Sequence, residues 1–150
     1  MSRTRTVKPI LLANNTIDRE DLVALSKWMC AEETPRLTQG PLVLKFEEMF
    51  ACWLDRCYCV FVNSGSSANL LAYASLLQSK RLSPGDVVNA PAVSWPTTIA
   101  PILQLGLKLE LHDASPKTWG TGPGVTPDVI VDVLGVPSRR GGMLVDACGA

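Results

Sequence analysis

The sequence has little of what most metal and nucleic-acid sites require. It contains a single histidine, His112, and its 14 basic and 14 acidic residues leave a formal net charge of zero. A metal site built on several imidazoles is therefore excluded, and a general nucleic-acid binder, which normally carries a basic face, is not expected. No apolar run is long enough to cross a bilayer, and no apolar region follows the basic N-terminus, so neither a membrane span nor a secretory signal is predicted.

The cysteines also fail to form a recognisable metal pattern. Their number is odd, and the pair Cys57 and Cys59 has no second pair with which to bind zinc. Cysteine is among the most buried residue types, and disulfides are rare in a reducing cytosol. We therefore expect buried free thiols and a cytoplasmic protein, for the five residues Cys30, Cys52, Cys57, Cys59 and Cys148.

The first 55 residues predict an extended arm, to about residue 15, followed by two helices. Residues 16–21 are acidic and typical of a helix start, and Pro41 suits the first position of the second helix. Each helix has an apolar face at helical spacing. We interpret the face of the second helix as buried core, formed by Val43, Phe46, Met49, Phe50 and Trp53.

From residue 56 to residue 150 the pattern changes to alternating strands and helices, which indicates a mostly parallel sheet with helical crossovers. The segment 114–128 carries no convincing helix. The connection 138–142 is short for a parallel crossover, so either the last two strands are joined abnormally or they form no native sheet in isolation. We predict strands at 57–62, 87–90, 108–112, 129–134 and 143–146, and helices at 66–80 and 95–105.

The segment 63–72 predicts an anion site. An apolar run leads into the turn Asn63-Ser64-Gly65-Ser66-Ser67, and a helix follows. The first N–H groups of a helix have no internal partner, and the helix dipole is positive there, so the turn can hold a phosphate without lysine or arginine. The same residues are also ordinary caps and turn formers. The segment is neither a Walker loop nor a dinucleotide fingerprint.

Two further features fall at the ends of predicted strands, where parallel sheets bind their ligands. Trp95 follows the strand at 87–90, and Asp146 ends the last strand. Taken alone, Trp95 fits a core residue at a helix start, and Asp146 fits a helix cap. Three chemically different features at one sheet edge favour a binding site.

Six motifs, in their order along the chain, resemble the DegT/DnrJ/EryC1/StrS family. They are Leu37-Thr38-Gln39-Gly40-Pro41, Val62 to Ala68, Ser83-Pro84-Gly85-Asp86, Pro91 to Thr98, Leu134-Gly135-Val136-Pro137 and Val145-Asp146-Ala147-Cys148. The resemblance implies the α/β, three-layer large domain of the aspartate-aminotransferase type, present here in truncated form, without the C-terminal small domain. It also implies a pyridoxal 5'-phosphate (PLP) enzyme acting on nucleotide-linked keto-sugars. The segment 64–72 looks especially like the branch that includes sugar 3-dehydratases.

The resemblance also implies roles for individual residues. Gly65, Ser66 and Ser67 match the turn that holds the PLP phosphate. Trp95 matches the aromatic residue that stacks on the pyridine ring, and Asp146 matches the carboxylate that pairs with the ring nitrogen. A carboxylate there keeps the ring protonated and makes it a better electron sink.

No catalytic residue is assigned. In the family the cofactor-anchoring lysine comes some tens of residues after the aspartate, and none of the lysines of this chain stands in that motif. Related dehydratases have a histidine at that position. The sequence therefore leaves both reactions open: an aminotransferase, acting with an amino donor in polysaccharide or deoxysugar biosynthesis, or a 3-dehydratase.

Two alternatives to an enzyme also stay open. One is a non-catalytic interaction domain that pairs with a full-length homologue, and the other is a generic phosphate-binding domain. The family forms its sites at a dimer interface, so we expect a homodimer or association with a complementary or full-length homologue. We further expect the chain alone to bind PLP weakly and to show no turnover.

Overall fold

The computed structural model describes residues 16–31, 33, 35–117, 120–122, 124–133, 136 and 141–147. These residues belong to two compact units, the first ending at Phe61 and the second beginning at Val62. The domain boundary placed at residue 55 from the sequence stays a prediction.

The described residues of the first unit include two helices. Helix α1 (Arg19–Met29) begins at a capping box, in which the Asp18 side chain accepts hydrogen bonds from the N–H groups of Glu20 (2.8 Å) and Asp21 (3.0 Å). The Asp21 carboxylate in return accepts from the N–H of Asp18 (3.1 Å), so the first turn is satisfied locally. Helix α2 (Pro41–Trp53) begins with proline at its first position, as predicted.

The prediction of a buried core face on α2 is wrong. In this helix, all of whose residues are described, Ala51 alone is buried, and Trp53 is 76 % exposed. The rings contact one another instead, with centroids 5.5 Å apart for Phe46 and Phe50 and 5.3 Å apart for Phe46 and Phe61. Periodicity identifies an apolar face of a helix, but it does not supply the element that covers that face.

The segment 57–62 also differs from its prediction. All six residues are described, and they form no strand. The N–H of Phe61 donates to the Glu47 carboxylate (2.8 Å), and the side chains of Tyr58 and Val60 are exposed. An apolar run has strand propensity, but it becomes a strand only beside a partner strand, and propensity alone does not provide one.

Within the ranges that the structure describes, the second unit contains two helices and four short strands. They occur in the order α3 (Gly65–Gln78), β1 (Val87–Pro91), α4 (Pro96–Gln104), β2 (Lys108–His112), β3 (Val129–Val131) and β4 (Leu144–Asp146). Both strand pairs, β1 with β2 and β3 with β4, are parallel. The predicted parallel pairing is therefore confirmed. The last two strands, for which the sequence predicted either an abnormal connection or no native sheet in isolation, also pair in parallel.

The two strand pairs meet where β1 lies beside β3. The N–H of Asp128 donates to the carbonyl of Asn89 (3.0 Å), and the N–H of Asn89 donates back to the Asp128 carboxylate (2.9 Å). Helices α3 and α4 cover this sheet, and one apolar core joins them to it. The core comprises Tyr73, Leu76, Leu82, Val88, Ala90, Ile102, Leu107, Val129, Val131 and Leu144.

The prediction of buried thiols is wrong for three of the five cysteines. Cys30, Cys52 and Cys57 are exposed, because they lie in or beside the uncovered helices of the first unit, and Cys59 is half-buried. None of these four forms a disulfide among the described residues, and Cys148 lies outside them. No helix in the described ranges has the length and apolar character needed to span a membrane.

Candidate functional site

A pocket of about 460 Å³ opens beyond the C-terminal ends of β1, β3 and β4. Its volume lies within the range of roughly 300–1,000 Å³ that small-molecule sites occupy. The described residues that line it all belong to the second unit: Gly65, Ser66, Asn69, Val93, Ser94, Trp95, Thr97, Val131, Asp132, Val133 and Asp146. Parallel α/β sheets bind ligands at this edge.

The N-terminus of α3 forms one part of the lining. Ser64 caps the helix: its hydroxyl oxygen accepts from the N–H of Ser67 (3.2 Å), and its backbone is extended. The helix geometry leaves the N–H groups of Gly65 and Ser66 without intrahelical partners, and both residues line the pocket. The positive end of the helix dipole and the Ser66 hydroxyl are thus available to an anion.

Ser67, the third residue of the predicted phosphate turn, has a different position. Its N–H and its hydroxyl oxygen are both hydrogen-bonded to Ser64, at 3.2 Å and 3.1 Å. It does not belong to the pocket lining. The structure therefore brings Gly65, Ser66, Trp95 and Asp146 to one pocket, and it gives Ser67 a place in the cap that shapes the turn.

Trp95 is the N-cap residue of α4, and Pro96 follows it at the first helical position. Its side chain is 71 % exposed and lines the pocket, so it is not a core residue. A large flat ring held at a pocket wall offers a face on which an aromatic ligand can stack. Its carbonyl accepts from the N–H of Thr98 (2.9 Å), which fixes the backbone at this point.

Asp146 ends β4, and its carboxylate is held by two side chains from two helices. Oδ2 accepts a hydrogen bond from the Asn69 amide on α3 (2.9 Å) and another from the Thr98 hydroxyl on α4 (2.6 Å). Such bonds stabilise the ionised form of a carboxylate and fix its orientation. A second acidic residue, Asp132, also lines the pocket. The backbone N–H of Asp132 donates to the backbone carbonyl of Asp146 (2.9 Å).

A buried tyrosine lies behind the carboxylates. Tyr73 on α3 is 1 % exposed, and among the described residues its hydroxyl has no hydrogen-bond partner. Burial raises the pKa of Tyr73, and the negative charges of Asp146 and Asp128 raise it further. Tyr73 is therefore a neutral phenol at any physiological pH.

The pocket lining has polar groups at two places, and the electrostatic potentials of these two places have opposite signs. The α3 N-terminus presents N–H groups and positive potential, whereas Asp132 and Asp146 present negative charge. The Ser94 hydroxyl is also buried at this wall and, within the described part of the chain, lacks a hydrogen-bond partner. This lining fits a flat ligand with an anionic group at one end and a basic nitrogen elsewhere. No group of three or more potential metal ligands occurs among the described residues.

Sequence reasoning missed four residues of the site. Asp132 follows a predicted strand just as Asp146 does, so the rule that ligands bind at strand ends could have identified it. Ser94 lies beside Trp95 in the same motif. Asn69 lies in the segment 63–72 and Thr98 in the motif Pro91 to Thr98, but the local pattern assigns neither a role, because each role depends on a contact with Asp146, which is distant in sequence.

Residues 16–130 match the DegT/DnrJ/EryC1/StrS aminotransferase family. GDP-4-keto-6-deoxy-D-mannose 3-dehydratase of Yersinia pseudotuberculosis is 38 % identical over 109 residues, which cover 71 % of this chain and 27 % of that protein. The dTDP-4-dehydro-2,6-dideoxy-D-glucose 3-dehydratase of Saccharopolyspora spinosa is 40 % identical over 119 residues, covering 77 % and 25 %. This chain thus spans about a quarter of the length of these curated relatives.

The fold is shared with a solved structure. The crystal structure of a GDP-4-keto-6-deoxymannose-3-dehydratase with a trapped PLP-glutamate geminal diamine superposes with a TM-score of 0.76 at 31 % identity, over 94 % of this chain and 42 % of that one. The cofactor implied by the sequence motifs is the one in that structure. The predicted fold class is confirmed, and this chain belongs to the DegT/DnrJ/EryC1/StrS family, with the fold of its PLP-dependent sugar aminotransferases and dehydratases.

Proposed function

We propose that this chain holds PLP in the pocket beyond β1, β3 and β4 and belongs to an enzyme that modifies a nucleotide-linked keto-sugar. The observation that carries the proposal is the opposed polarity of the lining. Gly65 and Ser66 present donors at a helix N-terminus, Asp146 presents a hydrogen-bonded carboxylate, and the exposed Trp95 ring lies in the same wall. PLP carries an anionic phosphate, a flat ring and a basic ring nitrogen, which match these three groups.

Each residue then has a specific task. The N–H groups of Gly65 and Ser66, together with the Ser66 hydroxyl, bind the phosphate. The Trp95 indole stacks on the pyridine ring and excludes water from one of its faces. The Asp146 carboxylate holds a proton on the ring nitrogen. When bound, PLP supplies an electron sink for a carbanion, and the protonated nitrogen strengthens it.

Within the family, the relatives favour the 3-dehydratase branch. The two curated relatives described above, 38 % and 40 % identical, are both 3-dehydratases that act on nucleotide-linked keto-deoxysugars. The substrate class we propose is therefore a nucleoside-diphosphate-linked 4-keto-deoxyhexose. An aminotransferase is the second candidate, because it is the activity for which the matched family is named.

The cofactor assignment is tested with pyridoxamine 5'-phosphate, which has no aldehyde and so does not react with surface lysines. We expect the chain to bind it measurably by calorimetry and to bind pyridoxamine, which lacks the phosphate, at least tenfold more weakly. Asp146→Asn and Ser66→Ala are each expected to weaken binding about tenfold, the equivalent of about 1.4 kcal/mol. Asp55→Asn, which removes an acidic group of the first unit, is the control.

Equal affinity of the wild-type chain for the two amines, or unaltered affinity in both variants, contradicts the proposed site. The reaction is tested by incubating the chain with pyridoxamine 5'-phosphate, glutamate and a nucleotide-linked 4-keto-6-deoxyhexose. We expect no turnover by this chain alone, because none of its lysines stands in the cofactor-anchoring motif of the family, and any turnover would contradict that expectation. Should a product form, its mass would identify the branch: a sugar that has lost an oxygen indicates the dehydratase, and an amino sugar indicates the aminotransferase.

A further inference from the structure

We propose that Asn69 and Thr98 are positioning residues that direct the Asp146 carboxylate toward the ring nitrogen of the bound cofactor. This inference rests on the proposed function. It deepens that function by naming the groups on which the orientation of Asp146 depends. The inference comes from the meeting of α3, α4 and β4 at one carboxylate oxygen, Oδ2 of Asp146.

The contacts are short and come from separate helices. The Asn69 amide donates to Asp146 Oδ2 from α3 at 2.9 Å, and the Thr98 hydroxyl donates to the same oxygen from α4 at 2.6 Å. Thr98 is fully buried, at 0 % exposure, and Asn69 is half-buried. Water therefore competes little for the bond from Thr98, and β4 is tied through the Asp146 side chain to both helices.

The electrostatic surroundings make these two donors necessary. Asp132, which directly follows β3, lines the same pocket, Asp128 lies just before that strand, and the Tyr73 phenol on α3 is neutral. The negative charges of Asp128 and Asp132 oppose ionisation of a third carboxylate. Two hydrogen bonds to Asp146 oppose that effect, because hydrogen bonds to a charged group are stronger than those between neutral groups.

Asn69 also connects the two ends of the site. It lies in the same helix as Ser66, one turn farther along, so the residue that would bind phosphate and the residue that holds Asp146 share one rigid element. Side chains three residues apart lie on the same face of a helix. The distance between the phosphate donors and the carboxylate is thereby set by the helix.

The test separates positioning from a structural role by using two probes. Under the proposed function, inorganic phosphate would contact only the α3 N-terminus, whereas pyridoxamine 5'-phosphate would also reach Asp146. We expect Thr98→Val, which keeps the side-chain volume and removes the hydroxyl, to weaken binding of pyridoxamine 5'-phosphate about tenfold and to leave phosphate affinity within twofold. Thr98→Ser restores the hydroxyl and should recover most of the loss. Thr121→Val, which removes another buried hydroxyl of the same unit, is the control.

A double-mutant cycle identifies the path of the effect. If Thr98 acts through Asp146, Thr98→Val has less than a twofold effect in the Asp146→Asn background. Asn69→Ala should behave in the same way, and it serves as the second variant should Thr98→Val unfold the protein.

The outcomes are distinguishable. Equal losses for both probes, no loss in a folded Thr98→Val or Asn69→Ala variant, or an undiminished loss in the Asp146→Asn background overturns the inference and leaves the proposed function standing. If the folded wild-type chain binds pyridoxamine 5'-phosphate no more tightly than inorganic phosphate, the proposed function is overturned, and the inference with it.

Discussion

At the scale of single residues, Tyr73 combines two properties that folding usually avoids together. It is among the largest fully buried side chains, and its hydroxyl has no hydrogen-bond partner among the described residues. The ring fills the core between α3 and the sheet. A buried polar group without a partner costs roughly 1–3 kcal/mol, so the hydroxyl reduces the stability that the ring provides.

We therefore expect Tyr73→Phe to raise the free energy of unfolding by about 1 kcal/mol, as measured by urea denaturation at neutral pH. Tyr58→Phe is the matched control, because the other tyrosine of the chain is 89 % exposed and its hydroxyl is solvated. A loss of stability in Tyr73→Phe, with no change in Tyr58→Phe, would show that the Tyr73 hydroxyl makes a stabilising bond and would contradict this account.

The raised pKa of Tyr73 predicts how the stability of the wild-type chain depends on pH. Burial is its main cause, and the charges of Asp146 and Asp128 add to it. Above a pH of about 10, tyrosine ionises in the unfolded chain while Tyr73 keeps its proton in the folded one. Its contribution to stability is thus fully present below that pH and is lost as the pH rises, and this part of the loss should disappear in Tyr73→Phe.

The sequence could identify some residues of the site but not others. Asp146 and Trp95 could be identified because each stands in a motif and at a strand end, and the structure brings both to the pocket. Their roles toward a cofactor stay predictions. Asn69 and Thr98 could not be identified, since a hydrogen bond to a residue 77 or 48 positions away leaves no local pattern.

At the scale of elements, the start of α3 determines the geometry of the predicted phosphate turn. Among the described residues, the side-chain cap of this helix is the Ser64 hydroxyl, which accepts from the N–H of Ser67 at 3.2 Å. The cap orders the turn, and the neighbouring N–H groups of Gly65 and Ser66 line the pocket. Stability and anion binding should therefore respond differently to changes at residue 64.

We expect Ser64→Ala to lower the free energy of unfolding by about 1 kcal/mol through loss of the cap. Ser64→Asp preserves the cap, and its negative charge interacts favourably with the helix dipole, so stability should stay near that of the wild type. The same charge repels an anion, so it should weaken phosphate binding severalfold. Ser75→Ala, an exposed change inside α3, is the control. Tighter phosphate binding by Ser64→Asp, measured by calorimetry, would contradict an anion site at this helix end.

The elements of the second unit followed from the sequence more closely than those of the first. Strand β2 has its predicted bounds, and α3, α4 and β1 differ by a residue or two at their ends. These segments have periodic patterns bounded by glycine and proline, and the structure covers them on their apolar sides. The segment 57–62 has the composition of a strand, but among the described residues it has no partner strand, so composition alone misassigned it.

At the scale of the whole molecule, the two units differ in how they use their apolar residues. The second unit buries many of its apolar residues in one core, although some, such as Trp95, stay exposed. The first unit leaves large apolar side chains exposed, among them Met49, Trp53 and Tyr58. Large exposed apolar patches mark interaction surfaces, so the association expected from the sequence, with a second copy or with a homologue, stays a reasonable prediction.

The central claim, that one pocket binds the phosphate and the ring of PLP at separate groups, is tested most directly by mapping backbone amide shifts in an NMR titration. Inorganic phosphate should shift the amides of Gly65 and Ser66 and leave those of Trp95 and Asp146 unchanged. Pyridoxamine 5'-phosphate should shift all four. Absence of shifts at Gly65 and Ser66 with both ligands, or shifts confined to the first unit, would contradict the account.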